Sequence, residues 1–403
     1  MIAMASREKA VVVGVQPPNL PLAELEADLA ELASLLDTAG ADVVGRVVQK
    51  RGAPDPATYL GRGKVEELRE LVIATGAGLL AFDAELSPAQ VHHLEEQLPE
   101  GVKVLDRAGV ILDIFALRAK TREAKTQVEL AQLQYLLPRL TRRWQHLSRQ
   151  AGGIGTRGVG ETQLEMDRRV IKRRIALLRR KLEEIEKERR VQRAGRERLP
   201  AVALVGYTNA GKSALFQRLT QRATLVEDRL FATLDPLVRR TTIGPGVEVT
   251  VADTVGFIRK LPHELVASFR ATLAEAATAD VLVHVVDASH PRWPQHLAVG
   301  EEVLEGLGVE PGRCVVALNK VDRVAELPEP PAGRRSVLVS ALTGQGLGEL
   351  EVLVASTLEE RGLVQVLRFS AEGGEALRAA LARGDLVGRR FSSEGVELYV
   401  RRR

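Results

Sequence analysis

Residues 201–215 read AVALVGYTNAGKSAL, and the fold of the chain is decided there. A β-rich run leads into Gly206-Tyr207-Thr208-Asn209-Ala210-Gly211-Lys212-Ser213, and the apolar spacing that follows is helical. Strand, loop and helix in that order, with Gly-x4-Gly-Lys-Ser at the junction, form a phosphate-binding P-loop. The glycines let backbone N–H groups point inward at phosphate oxygens, and the positive end of the helix reinforces them. Lys212 can reach the β and γ phosphates, and the Ser213 hydroxyl can ligate magnesium.

Three later strand ends choose among P-loop families. VEVTVADTVGF (247–257) closes a strand on Asp253-Thr254-Val255-Gly256. Asp253 can hold magnesium through water, and the Gly256 N–H can sense the γ phosphate. CVVALNKVD (314–322) ends in Asn319-Lys320-Val321-Asp322. A carboxylate at Asp322 can accept both the N1–H and the exocyclic N–H of guanine, and adenine offers no such pair. Asn319 can bond a base edge, and Lys320 can lie along the ring. In VLVSALTGQG (337–346), Ser340-Ala341-Leu342 can present a backbone N–H to the guanine carbonyl oxygen. Each word is weak alone. In this order and at strand ends they specify a GTPase, with GTP or GDP and Mg2+ as the expected ligands.

The first switch should lie in EDRLFATLDPLVRRTT (227–242), within Phe231-Ala232-Thr233-Leu234-Asp235. Thr233 is the expected hydroxyl on magnesium and γ phosphate, with Thr241 and Thr242 as alternatives nearer the next strand. Lys212, Thr233 and Gly256 are thus the candidate catalytic residues. Phe257 stands where Ras-like enzymes carry the glutamine that orients water, which predicts slow intrinsic hydrolysis or reliance on another group. In GTPases that share Asn209, it helps hold a potassium ion near the phosphates. A hydrogen bond within the loop is the alternative role.

The rest of the 403 residues has room for two to four domains, with 45% hydrophobic and 27% charged residues as in ordinary globular proteins. The one cysteine, Cys314, excludes an intrachain disulfide framework or cysteine-based metal site. No apolar run approaches a membrane span and the N-terminus lacks a signal pattern, so a cytoplasmic protein without membrane contact is expected. Net charge is +4, yet residues 139–198 alone hold 19 Lys/Arg against 8 Asp/Glu. Such concentration points to a polyanion partner. The alternative is a solvated helix surface rich in ion pairs.

Upstream, AVVVGV (10–15), ADVVGRVV (41–48), GLLAFD (78–83) and KVLD (103–106) alternate with helical patterns and predict a small parallel α/β layer. Within it, YLGRGKVEEL (59–68) reads as a strand-to-helix connection, with phosphate binding as the alternative. Next, Leu130, Leu133, Leu137, Leu140, Trp144 and Leu147 form one heptad stripe, and Ile171, Ile175, Leu178, Leu182 and Ile185 a second. The pair predicts an antiparallel helical hairpin, kinked at Pro138. Its tip is GGIGTRGVGETQ (152–163), read as a moulded contact surface, with a disordered linker as the alternative. The expected divisions are an N-terminal α/β subdomain 1–118, the hairpin 119–198, the GTPase domain 199–362 and a small α+β domain 363–403.

GGIGTRGVGETQLEMDRR (152–169), YLGRGKVEEL, LAQLQYLLPRLTRRW (130–144), GYTNAGKS, FATLD and DTVGF together resemble the HflX family of translation-associated GTPases. The resemblance spans nearly the whole chain. It implies an N-terminal α/β and hairpin unit ahead of the GTPase domain, binding to the 50S subunit, and splitting of stalled or idle 70S ribosomes, often under stress. It also implies that the glycine-rich loop meets 23S rRNA near the peptidyl transferase centre. The candidate RNA contacts are Arg149, Gly152, Gly153, Gly155, Arg157, Gly158 and Gly160 in the loop, with Arg168, Arg169, Arg173 and Arg174 beyond it. Val159 departs from the family's common proline, and the C-terminal extension occurs in only some members. A monomer that can dimerise off the ribosome is expected. The rival readings are a ribosome-assembly GTPase and a regulatory switch with a protein effector.

Overall fold

The computed structural model describes residues 7–140, 163–194, 199–221, 230, 231, 234, 237–260, 276–370, 378, 379, 386–393 and 395–401. They divide into two compact units, one holding the residues up to Ile185 with Lys260, the other holding 186–259 and those from 276 onward.

The first unit is built on a four-stranded sheet in the order β2-β1-β3-β4, all pairs parallel. β1 (Glu8–Gln16), β2 (Ala41–Lys50), β3 (Leu79–Phe82) and β4 (Lys103–Asp106) fall on the four expected runs. They alternate with α1 (Leu22–Ala39), α2 (Arg62–Thr75) and α3 (Pro88–Gln97). Parallel strands need such crossovers, and covered faces favour the near-continuous apolar runs seen in the sequence. Val11, Val13, Leu80 and Phe82 are fully buried, packed with Leu60 and Leu68. At the α2 N-terminus the Gly61 N–H is taken by Gln49 Oε1 at 2.8 Å.

Asp106 joins this sheet to the hairpin. It caps α4 (Arg107–Arg118) by accepting from Gly109 N at 2.9 Å. The same buried carboxylate accepts from Tyr135 Oη and Arg139, each at 2.9 Å. Gly109 is needed here, because a Cβ would lie 2.8 Å from Tyr135 Oη. Arg107, itself 2% exposed, is paired with Glu31 and Asp83, as a buried guanidinium must be.

α5 (Arg122–Leu136) and α6 (Gln163–Ala194) bury their stripes on each other through Leu130, Ile175 and Leu178, flanked by Leu133, Leu137, Ile171 and Leu182. The heptad expectation holds in this stretch. Pro138 acts differently from the expected kink: α5 stops at Leu136 and the chain tightens into a 3-10 turn over Leu137–Arg139. Trp144, Leu147 and residues 152–162 of the tip lie outside the described residues.

The second unit holds a nine-stranded sheet, ordered β10-β9-β8-β5-β7-β12-β13-β11 with β6 also on β7. Its parallel centre comprises β5 (Ala201–Gly206), β7 (Val247–Asp253), β8 (Val281–Asp287), β9 (Cys314–Asn319) and β10 (Ser336–Leu338). β6 (Leu237–Ile243) pairs antiparallel to β7. The helices are α7 (Lys212–Thr220), α8 (Trp293–Gly306) and α9 (Leu347–Glu360). Val202, Leu204, Val249, Val251, Val283 and Val315 form the core with Leu215, Phe216, Leu350 and Leu358. Full burial of each such side chain stabilises the fold by about 1.5–3 kcal/mol.

The C-terminal strands β11 (Val364–Phe369), β12 (Leu386–Ser392) and β13 (Gly395–Arg401) pair antiparallel as the β-rich pattern predicts. They also join the GTPase sheet, since β12 reaches β7 at Gly388 and Val247. The approach requires glycine: a Cβ on Gly388 would overlap the Gly246 carbonyl oxygen. Among the described residues no helix is long and apolar enough to cross a membrane.

Candidate nucleotide site

The P-loop leaves the carboxyl end of β5, where open α/β sheets place their ligands. Two glycines are dictated by space. Gly206 has φ 141°, and a Cβ there would overlap the Val285 carbonyl oxygen; Gly211 has φ 93°, and its Cβ would overlap the Asn319 amide. Asn209 also takes a positive φ of 61°, a conformation asparagine tolerates better than most residues.

Lys212 is 7% exposed, and its ammonium donates to the carbonyls of Gly206 at 3.1 Å and Tyr207 at 2.8 Å. Burial pulls its pKa down to about 8, with Asp253 opposing the shift and Lys320 adding to it. Ser213 Oγ donates to Asp253 Oδ2 at 2.6 Å. A hydroxyl and a carboxylate joined at the head of α7 are hard oxygen donors of the kind magnesium takes, so the residues present fit that ion.

The second switch is zipped to the P-loop. Phe257 N donates to Gly206 O at 2.9 Å, and Thr208 N donates to Phe257 O at 2.7 Å. A Cβ on Gly256 would lie 2.8 Å from Thr208 Cα and 3.0 Å from Lys212 Nζ, so this position must be glycine. The Thr254 hydroxyl donates to Leu204 O at 2.7 Å, and Val255 is buried. Phe257 is 2% exposed, its ring edge-on to His284 at 6.5 Å.

At the base-reading end, Asn319 is a tether. Its Nδ2 donates to Ala210 O at 2.9 Å, and its Oδ1 accepts Ala341 N–H at 3.0 Å. Asn319 thus ties P-loop and base loop together, and its amide nitrogen carries a second N–H for the base edge expected from sequence. Lys320, at φ 66°, donates to Asn209 O and pairs with Asp287, both at 2.7 Å. That stretches its stem across the site, as a side chain lying along a base requires. Asp322 is exposed and accepts a hydrogen bond from the Ser340 hydroxyl, while Val321 is buried beneath it. Leu342 is 68% exposed beside them.

The structure therefore brings Gly206–Ser213, Asp253–Gly256, Asn319–Asp322 and Ser340–Leu342 to one end of one sheet. Phe231 and Leu234 are buried, at 2% each. Ala232, Thr233 and Asp235 lie outside the described residues. Sequence reasoning missed several groups. Asp287 ends β8 at the ligand edge of the sheet, a position that could have flagged it. His284 is fully buried with its pKa pulled down to about 4 by burial, so it is neutral beside the second switch. His296 stacks on Tyr207 at 4.0 Å and 3°, and burial foremost, then His290, pulls it down to about 4. Arg218 in α7 donates to Ala341 O at 2.8 Å and to Leu342 O.

Of the candidate RNA contacts, Arg168, Arg169, Arg173 and Arg174 lie exposed on α6. Arg174 forks onto Glu129 of α5 at 2.7 and 3.0 Å, so it braces the hairpin. Arg149, Gly152, Gly153, Gly155, Arg157, Gly158 and Gly160 lie outside the described residues.

Comparison with known proteins matches three family models along the chain. Residues 26–116 match the family described as GTP-binding GTPase N-terminal, 118–196 the GTP-binding GTPase Middle Region, and 201–320 the 50S ribosome-binding GTPase family. The protein named GTPase HflX of Alkalihalophilus pseudofirmus is 45% identical over 397 residues, covering 98% of this chain and 92% of that protein. The one of Escherichia coli is 44% identical over 384 residues, covering 93% and 89%. A GTP-binding protein of Sulfolobus solfataricus, solved in complex with GDP, aligns over 88% of this chain and 99% of its own at 25% identity, with a TM-score of 0.44.

Proposed function

Because the chain belongs to the HflX family of GTPases, we propose that it binds the 50S ribosomal subunit and uses GTP to dissociate stalled or idle 70S ribosomes. One observation carries this reading: a guanine-nucleotide site built from four sequence words shares the chain with a long helix whose exposed face carries Arg168, Arg169 and Arg173. The description of the family matched by residues 201–320, a 50S ribosome-binding GTPase, supports the same partner. Work on ribosomes would place the protein in the cytoplasm.

The chain is a GTP hydrolase, and its residues divide the work. On nucleotide binding, Lys212 exchanges the carbonyls of Gly206 and Tyr207 for β and γ phosphate oxygens. Magnesium would be held by Ser213 directly and by Asp253 through water, and it supplies charge neutralisation between the phosphates. Thr233 would close on the same ion and the γ phosphate. Asn209 would help hold potassium beside the phosphates, supplying positive charge in place of an arginine finger. Phe257 has no group to orient water, so intrinsic turnover is slow and contact with the ribosome raises it. Water attacks the γ phosphorus, the bond to the β–γ bridging oxygen breaks, and GDP and phosphate leave.

Purified 70S ribosomes incubated with the protein and a nonhydrolysable GTP analogue, then run on a sucrose gradient, test the reading. Free 30S and 50S peaks that need the triphosphate form support it. Intact 70S particles with binding confined to immature subunits favour an assembly factor, and no ribosome binding sinks both.

A further inference from the structure

We infer that Arg218 is the positioning residue through which the site reads the 6-oxo group of the base. The inference rests on the guanine reading of the site and deepens it. The word Ser340-Ala341-Leu342 holds three backbone N–H groups, and two are engaged inside the protein. Ser340 N donates to Gln345 O at 3.0 Å, and Ala341 N donates to Asn319 Oδ1 at 3.0 Å. Among the described residues the donor left for a ligand is Leu342 N–H, on a residue 68% exposed.

Arg218 determines where that donor points. The Leu342 N–H and the Ala341 C=O belong to one peptide unit, which is planar and trans, as there are no cis bonds among the described residues. In such a unit the two groups point in opposite directions. Arg218 Nε binds the Ala341 oxygen at 2.8 Å, and a second guanidinium nitrogen binds the Leu342 oxygen. Gripping one side of the peptide plane fixes the other, so the N–H is turned away from α7. Two donors from one rigid fork fix rotation as well as position, which a single ammonium cannot do.

The Asp322 carboxylate lies on the same loop pair, joined to it by the Ser340 hydroxyl. The two base readers are thus supported separately: Asp322 by Ser340 for the N1–H and amino edge, Leu342 N–H by Arg218 for the oxo group. Arg218 sits on the first helix after the P-loop, 123 residues before Ala341. The phosphate-binding helix and the oxo-reading peptide are therefore one mechanical piece.

The test compares three diphosphates on the full-length protein by equilibrium titration. GDP and IDP carry the 6-oxo group, and the diphosphate of 2-aminopurine riboside lacks it. Arg218→Ala should raise Kd about fivefold for GDP and IDP, as expected for losing the support of one hydrogen bond. The 2-aminopurine nucleotide should bind within about twofold of wild type, and Arg218→Lys, which keeps one donor, should recover part of the GDP loss. Arg218 is exposed and outside the apolar core, so the variants should keep the fold with at most a small fall in melting temperature. Equal weakening of all three nucleotides, or no weakening of any, overturns the role of Arg218. Wild-type protein that binds GDP and the 2-aminopurine diphosphate equally overturns the guanine reading itself.

Discussion

Ser213 Oγ and Asp253 Oδ2 are 2.6 Å apart, which ties the first turn of α7 to the end of β7. A cation held by both must enter between them. Ser213→Ala should therefore remove most of the magnesium dependence of GTP affinity. Titration in magnesium and in EDTA checks it: wild type should show a difference of about tenfold or more, the variant little. A variant that keeps the full magnesium effect would show that the ion sits elsewhere.

Lys212 couples nucleotide binding to pH. Its pKa in the free protein lies at about 8, below the ordinary 10.5, mainly through burial. Phosphate oxygens raise it in the complex, so above pH 8 binding takes up a proton. GDP affinity should be level below pH 8 and fall as pH rises past it. For the nucleotide-free fold the sign is opposite: the unfolded chain holds more protons between pH 8 and 10.5, so stability rises with pH across that window. Isothermal titration in buffers of different ionisation heat measures the proton uptake directly. Its absence at pH 9 would mean that Lys212 stays charged when free.

Asp322→Asn should exchange the preferred base. Xanthine carries a carbonyl where guanine carries its exocyclic amine, so the amide can serve the one and not the other. Loss of a charge-assisted pair costs about 1.5–3 kcal/mol, roughly a tenfold to hundredfold loss of GTP affinity. Competition between GTP and xanthosine triphosphate reads it out, and unchanged GTP binding removes Asp322 from base reading.

Basal hydrolysis should rise when sodium is replaced by potassium at matched ionic strength, and Asn209→Ala should lose that increment. The Asn209 carbonyl is already held by Lys320 at 2.7 Å, so the alanine variant keeps the loop's main tie. Equal rates in both salts for both proteins would leave Asn209 with a local role only.

The hairpin separates into two functions. Neutralising Arg168, Arg169 and Arg173 should weaken ribosome binding and flatten its salt dependence by roughly one slope unit per lost phosphate contact. Arg174→Ala should also lower thermal stability, since it breaks the fork onto Glu129. Replacing residues 152–160 by a Gly/Ser linker of equal length should leave binding largely intact and abolish splitting. Wild-type splitting by that variant would mean that the tip is only a linker.

The phosphate site was legible because its spacing and its chemistry are the same fact: Gly206, Gly211, Lys212 and Ser213 act within eight residues. The first strand of the first unit was legible for a similar reason, since the unbroken valine run of β1 suits a strand covered on both faces. The Asn319 tether was not, because its partners, Ala210 and Ala341, lie 109 and 22 residues away. Arg218 was invisible likewise; one arginine among 57 basic residues carries no local sign of the peptide it grips. The C-terminal segment showed its strands by alternation, but a pattern of period two does not say which sheet a strand joins. That was decided by Gly388, where the missing side chain lets two backbones meet.

The Asn319 side chain touches both the phosphate loop and the base loop. Those loops have then already lost their conformational freedom during folding, and a nucleotide that arrives has little ordering of them left to cause. Preorganisation of this kind lengthens residence time more than it speeds capture. Asn319→Ala should shed GDP faster while capturing it at a rate close to wild type, so the dwell of the bound state would be set by how firmly one amide ties the two loops.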